Sequence, residues 1–330
     1  GAATAPEGEA NVSAASRAFV LGRLLQRLNR TEEAASLFAA SARLAPGFTP
    51  TTVGVAEARM RDCAWQEAII LLDAATKALK EPAPQLERLL GQCYDALDRT
   101  EEAIKHYEKA AQGDSPEAVQ AKLELGRLYD RTGQASPAQR QYRAAMSADP
   151  SNMRAREALV HALLAGIAPG QAAADQQASL TRVLAEVKEM QRLAPEDPAT
   201  TRVMALVKFL GTRDRNAYRD TIRDLVERYP DDVRSREELA KILFEFRDYA
   251  GVRVHAAELL ARDPRSVNAA EMMALATTRM LELDDAAAQY TRMLACHPSR
   301  EAWLRQFCEL RLNQQEYDEA IELCNRLLAL

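Results

Sequence analysis

The sequence predicts an all-α solenoid of tandem helix pairs, and three observations carry that prediction. Ala34, Ala68, Ala103 and Ala138 recur at near-constant spacing. A bulky aliphatic or aromatic residue follows each of them four positions later: Phe38, Leu72, Tyr107 and Tyr142. Prolines close many of the segments, at Pro46, Pro150, Pro195, Pro230, Pro264 and Pro298, the last three spaced 34 residues apart. A fixed period in this range marks a repeat array rather than a globular domain. Each repeat buries itself only against its neighbours, so a chain of 330 residues has no need to split into separate cores.

Taken in chain order, the first frame starts at Ala15 and gives Leu21-Gly22, Ala34, Phe38 and Pro46. The second, from Thr49, gives Val55-Ala56, Ala68, Leu72 and Ala75. The two clearest start at Pro84 (Leu90-Gly91, Tyr94, Ala103, Tyr107, Ala110) and Val119 (Leu125-Gly126, Tyr129, Ala138, Tyr142, Ala145, Pro150). The frame from Met153 holds Leu159, Val160 and Leu163, but its closing proline, Pro195, comes late. The extra length, at 166–178, begins with Gly166-Ile167-Ala168-Pro169-Gly170, a loop signal. The helix formers of 172–177 then extend the second helix backward. The frame from Ala199 has Tyr218 where the family's pattern has a small residue, which predicts a wider helix crossing. Frames from Val233, Val267 and Glu301 complete about nine pairs over 15–330, and residues 1–14 are expected to be a flexible tail.

Packing explains the pattern. A small residue at the eighth frame position lets two helices cross closely, and alanine at the twentieth does the same from the partner helix. Glycine in a helix costs roughly 1 kcal/mol. Gly22, Gly91 and Gly126 at one frame position therefore point to a steric need. Acid pairs Glu32-Glu33, Glu101-Glu102, Asp284-Asp285 and Asp318-Glu319 fall where second helices begin, opposing the positive end of the helix dipole. Thr31 and Thr100 are the expected caps, and Ser136-Pro137 offers a cap followed by a first-turn proline.

Leu-Gly/Ala and Tyr on a first helix, Ala and an aromatic on a second, and a closing Pro resemble the tetratricopeptide-repeat family. The resemblance implies a right-handed superhelix that acts as a protein–protein interaction scaffold, with ligands on the groove lined by the first helices. Carried over position by position, that groove holds Arg23, Arg27, Arg61, Arg88, Arg127, Arg131 and Arg154, with the acids Glu57, Asp95, Asp130 and Glu157. At Val203, Val207 and Leu210 it turns apolar, to be covered by the preceding insertion or to receive an apolar segment. Arginine's planar fork suits carboxylates, so an acidic or C-terminal peptide is the expected partner. Internal pairing of these arginines with the acids is the competing reading. The Lys/Asn carboxylate clamp of the family's chaperone-binding members is absent.

Composition narrows the classes further. A formal charge of −5 argues against a dedicated nucleic-acid binder, and no apolar run reaches the roughly 18 residues of a membrane-spanning helix. The first residues carry no signal-peptide pattern. His106, His161, His255 and His297 are scattered, and no catalytic or phosphate-binding motif occurs. No enzyme activity, cofactor or metal is therefore expected, and His106 is expected to face outward. Cys63, Cys93, Cys296, Cys308 and Cys324 contain no CxxC and read as structural. That usage favours a reducing compartment, cytoplasmic over periplasmic.

The alternative function is a repeat segment of a larger bacterial-type export, polysaccharide-secretion or lipopolysaccharide-regulation machine. The last helix carries apolar residues on more than one face: Ile321, Leu323, Cys324, Leu327, Leu328 and Leu330. Further chain, a second copy or a bound partner is expected to cover it, so self-association through the C-terminal helix is a further partner expectation.

Overall fold

The computed structural model describes residues 7–27, 30–44, 49–79, 83–166 and 173–330. Among these the chain forms 18 helices and no strand. It divides into two compact units, Gly1–Leu125 and Gly126–Leu330. The first holds α1 (Glu7–Arg27), α2 (Thr31–Leu44), α3 (Thr49–Arg61), α4 (Trp65–Ala78), α5 (Pro84–Ala96) and α6 (Thr100–Ala110). Helix α7 (Pro116–Arg131) runs through the division. The second unit continues with α8 (Ala135–Ala148), α9 (Met153–Ala165), α10 (Ala173–Leu193), α11 (Pro198–Thr212) and α12 (Arg215–Arg228). It ends with α13 (Val233–Glu245), α14 (Tyr249–Arg262), α15 (Val267–Arg279), α16 (Leu283–Cys296), α17 (Glu301–Asn313) and α18 (Tyr317–Leu328). Odd-numbered helices are the first, and even-numbered the second, of each helical hairpin.

One expectation changes at the start of the chain. Helix α1 starts at Glu7, so residues 7–14, expected in a flexible tail, are helical. A helix that has started extends cheaply. Helix α10 starts at Ala173, in line with the backward extension expected over 172–177, while residues 167–172, where most of the expected glycine–proline loop falls, lie outside the described residues.

The frame's small residues sit where packing needs them. Ala34, Ala68, Ala103, Ala138 and Ala286 are fully buried. A side chain at the eighth-position glycines would collide with the ring opposite. An ideal Cβ on Gly91 meets Tyr107 Cδ1 at 2.6 Å, and one on Gly22 meets Phe38 Cε1 at 2.7 Å. In the frame from Ala199 the twentieth residue, Tyr218, is buried. Its ring stacks on Phe209 at 5.1 Å between centroids, and its hydroxyl donates to Glu238 at 2.8 Å.

The fifteenth frame position is left-handed in repeat after repeat. Cys63, Asp98, Arg213, Arg247, Leu281 and Gln315 have φ of 58, 58, 60, 61, 63 and 65°, and Gly133 has 73°. This residue ends the first helix and turns the chain into the second. Six non-glycine residues accept the strained conformation, so sequence composition gave no sign of it.

Capping is done by other residues than expected. Thr100 is the first residue of α6, whose N-cap is Arg99 with no side-chain bond. Ser136 lies inside α8, behind an N-cap at Gln134 that also makes none. Effective caps are Asn152, Asp197, Asp214, Asp232, Asp248 and Ser266, each accepting a bond from a backbone N–H of the first turn. Each is the residue just before a helix, as short polar acceptors prefer. The acid pairs of α6, α16 and α18 do occupy first turns.

Candidate partner-binding surface

The most unusual feature of the first helices is a buried charge at the fourth frame position. Glu87, Lys122, Arg156, Arg202 and Arg236 occupy it in five consecutive frames, and all five are buried. Ionised groups are tolerated inside a protein only when paired and hydrogen-bonded. Lys122 Nζ donates to the Gly113 carbonyl at 2.6 Å. Arg156 Nη2 and Arg236 Nη2 each donate at 3.0 Å to the carbonyl of a frame-closing proline, Pro150 and Pro230. The second nitrogen of each fork meets a carboxylate of the following helix: Arg156 with Glu186 at 2.8 Å, and Arg236 with Glu258. These side chains latch each repeat's exit loop to the next first helix.

Arg202 anchors the largest cluster. Its Nε and Nη2 donate to the two oxygens of Glu157 at 2.7 and 3.1 Å, and its Nη1 reaches Ser235 Oγ at 2.9 Å and also Asp232. Arg234 Nη1 adds a bond to Glu157 at 2.6 Å. Helices α9, α11 and α13 are thereby tied through one carboxylate. Burial alone would raise the Glu157 carboxyl, but the bonds and charges of Arg202 and Arg234 outweigh it and hold it below its usual range.

The first-helix arginines fall into distinct classes. In the first unit Arg23 pairs with Glu57, with both side chains partly exposed. Arg88, expected in the open groove, has a side chain only 17% exposed and pairs with Glu124 at 3.3 Å. Gln92 and Gln120 also donate to that carboxylate, at 3.0 and 2.9 Å, so Arg88 belongs to a structural cluster. Arg61 is half-buried. The Arg27 side chain lies outside the described residues. In the second unit Arg127, Arg131 and Arg154 are exposed. The acid Asp130 accepts a bond from the Tyr142 hydroxyl at 2.6 Å.

The apolar stretch is partly enclosed. Val203 is fully buried, and Val207 and Leu210 are half-buried. Helix α11 packs against α9, α10 and α12. His106 is also placed differently from expectation. Its Nδ1 lies 2.7 Å from the buried Glu87 carboxylate, and its ring stacks on Tyr94 at 5.0 Å. The buried fourth-position charges were missed because a charged residue at one frame position reads as solvated surface until burial is known. A recurrence of charge at a fixed frame position was the available signal.

Among the described residues no group of three or more His, Cys, Asp or Glu side chains is arranged to hold a metal ion. No helix among them is long and apolar enough to cross a membrane.

The tetratricopeptide repeat family profile matches residues 89–112 and 119–152. No curated protein sequence matches the chain. Among solved structures, PilF of Pseudomonas aeruginosa aligns with a TM-score of 0.53 at 13% identity, over 70% of this chain and 99% of that one. A monomeric IFIT1 variant solved with m7Gppp-AAAA aligns with a TM-score of 0.51 at 13% identity, over 96% of this chain and 71% of that one. At these identities the likeness is one of fold.

Proposed function

We propose, from the premise that this chain is a tetratricopeptide-repeat protein, that it is a non-catalytic scaffold holding an acidic peptide segment on Arg127, Arg131 and Arg154. The observation that carries this reading is the contrast within the second unit. Arg156, Arg202 and Arg236 are buried, whereas the guanidinium-bearing side chains of Arg127, Arg131 and Arg154 are exposed at the first-helix positions that the family resemblance assigns to the groove. Arg127 and Arg131 are one turn apart on α7, so they share a helix face. A guanidinium fork there can take a carboxylate bidentately. Arg88 fits less well, because its side chain is enclosed.

Fluorescence anisotropy with a labelled glutamate-rich peptide tests this reading. Arg127→Glu/Arg131→Glu is expected to weaken binding by about tenfold or more at low salt, with the difference shrinking as ionic strength rises. The matched control, Arg140→Glu/Arg143→Glu, reverses two exposed arginines of α8. Equal losses from both pairs, or none from the first, would refute the assignment.

A second reading concerns the last helix. Tyr317, Ile321 and Leu328 of α18 are exposed, the last two at 58% and 86%. One frame earlier on α16, Ala287 and Leu294 occupy the positions of Ile321 and Leu328 and are buried in the core shared with α17. The complementary face is open on α1, where Leu21 and Leu24 are exposed. Their counterparts on α17, Phe307 and Leu310, are buried in that same core. We propose that α1 of a second copy docks on α18. Light scattering should show concentration-dependent association that Ile321→Glu/Leu328→Glu and Leu21→Glu/Leu24→Glu each prevent. A mixture of the two variants should form a one-to-one pair, because each keeps one intact face. A wild type that stays monomeric, or a mixture that does not pair, would remove the reading.

A further inference from the structure

The eighth and twenty-fourth frame positions face each other across a helix pair. In three frames they hold glycine against an aromatic ring: Gly22 and Phe38, Gly91 and Tyr107, Gly126 and Tyr142. In the last frame both positions are cysteine, Cys308 on α17 and Cys324 on α18. Their Sγ atoms lie 3.0 Å apart. Both are free thiols, Cys308 buried and Cys324 exposed. A disulfide needs its sulfurs about 2.05 Å apart, so the two sulfurs need to close by only about an ångström to join.

We infer that Cys308 and Cys324 form a reversible dithiol–disulfide site, oxidised by low-molecular-weight disulfides of the glutathione type, that clamps α18 onto α17. The exposed Cys324 reacts first. Its thiolate attacks one sulfur of the small disulfide, giving a mixed disulfide and releasing one small thiolate, which takes up the proton Cys324 has lost. Cys308 then gives up its proton and attacks Cys324 Sγ. The Cys308–Cys324 bond forms as the mixed disulfide breaks, and the second small thiol leaves with that proton. Two protein thiols are oxidised and one small disulfide is reduced to two thiols.

The order of attack follows from the environment. Burial, and then the hydrogen bond with Cys324, pushes the Cys308 thiol up to about 11, which suits a resolving thiol rather than a first attacker. The consequence falls on the packing of α18 against α17. Within α18 the fully enclosed side chains are Ala320 and Leu323, with Leu327 packed partly buried on the same core, and a covalent link to α17 adds to that contact. Closing the loop between the two cysteines removes freedom that α18 has when it frays.

The full chain, equilibrated with mixtures of reduced and oxidised glutathione and then alkylated, supplies the test. Trypsin cuts after Arg305, Arg311 and Arg326, so the two cysteines fall on separate peptides, 306–311 and 312–326. Mass spectrometry should find these peptides linked, exceeding the glutathione adduct of Cys324 by about tenfold or more, because the second thiol is held in place. In Cys308→Ser, Cys324 should instead persist as the glutathione adduct. Linked protein should show amide exchange in α18 slowed by about tenfold or more. Absence of the linked peptides, or Cys324 accumulating as the adduct while Cys308 stays reduced in the wild type, would overturn the site. Linkage without slower exchange in α18 would overturn the clamp.

Discussion

Glu157→Ala is expected to destabilise the second unit by about 3–5 kcal/mol, because it leaves Arg202 buried without its main partner. For a unit of this size that corresponds to a fall in Tm of roughly 6–20 °C. Arg202→Ala should cost a similar amount by stranding Glu157. Replacing both with leucine should recover much of the loss, since well-packed apolar groups often match a buried ion pair. The pH dependence follows from linkage. The Glu157 carboxyl is held below its reference value of 4.5 in the fold, so the unfolded chain takes up a proton first as pH falls. Its stabilisation is therefore complete above about pH 4.5 and disappears as pH drops through the lower folded value. Thermal melts of wild type and Glu157→Gln over that range check the sign, with the gap between them narrowing in acid. A loss below 1 kcal/mol in both alanine variants would show that α9, α11 and α13 are held by something other than this cluster.

The same substitution at two glycines should have opposite signs. Gly211→Ala, on α11, meets nothing within 4 Å and should stabilise by about 0.5–1 kcal/mol through helix propensity. Gly126→Ala brings a methyl against the ring of Tyr142, a buried side chain whose hydroxyl is already held by Asp130. That ring cannot move aside freely, so overpacking of about 1–3 kcal/mol should exceed the propensity gain. Gly126→Val should be worse. The paired variant Gly126→Ala/Tyr142→Leu should recover part of the loss if the collision is the cause. Chemical denaturation of the four variants provides the comparison, and a stabilised Gly126→Ala would show that close crossing is not why glycine stands there.

The periodic residues made the fold legible. Ala34, Ala68, Ala103 and Ala138 with their aromatic partners announce helix pairs because one close crossing, repeated, needs one small residue at one place. The candidate site was legible only in part. Arg127, Arg131 and Arg154 stand exposed where the frame puts them, but Arg88 and Val203, assigned by the same frame, are enclosed. A frame position fixes the direction in which a side chain leaves its helix, not what a neighbouring helix brings against it. The buried charges of Arg156, Arg202 and Arg236 show the same limit, since their acceptors lie on other helices or on exit loops.

The sequence by itself therefore determined the repeat, the helix pairing and the small residues at each crossing, all of which depend on contacts within one frame. Only the tertiary structure decided which arginines are spent on internal carboxylates, where Leu281 and Gln315 must turn left-handed, and that Cys308 and Cys324 meet. Those outcomes depend on distance and burial between helices, and a chain's pattern of residue types carries neither.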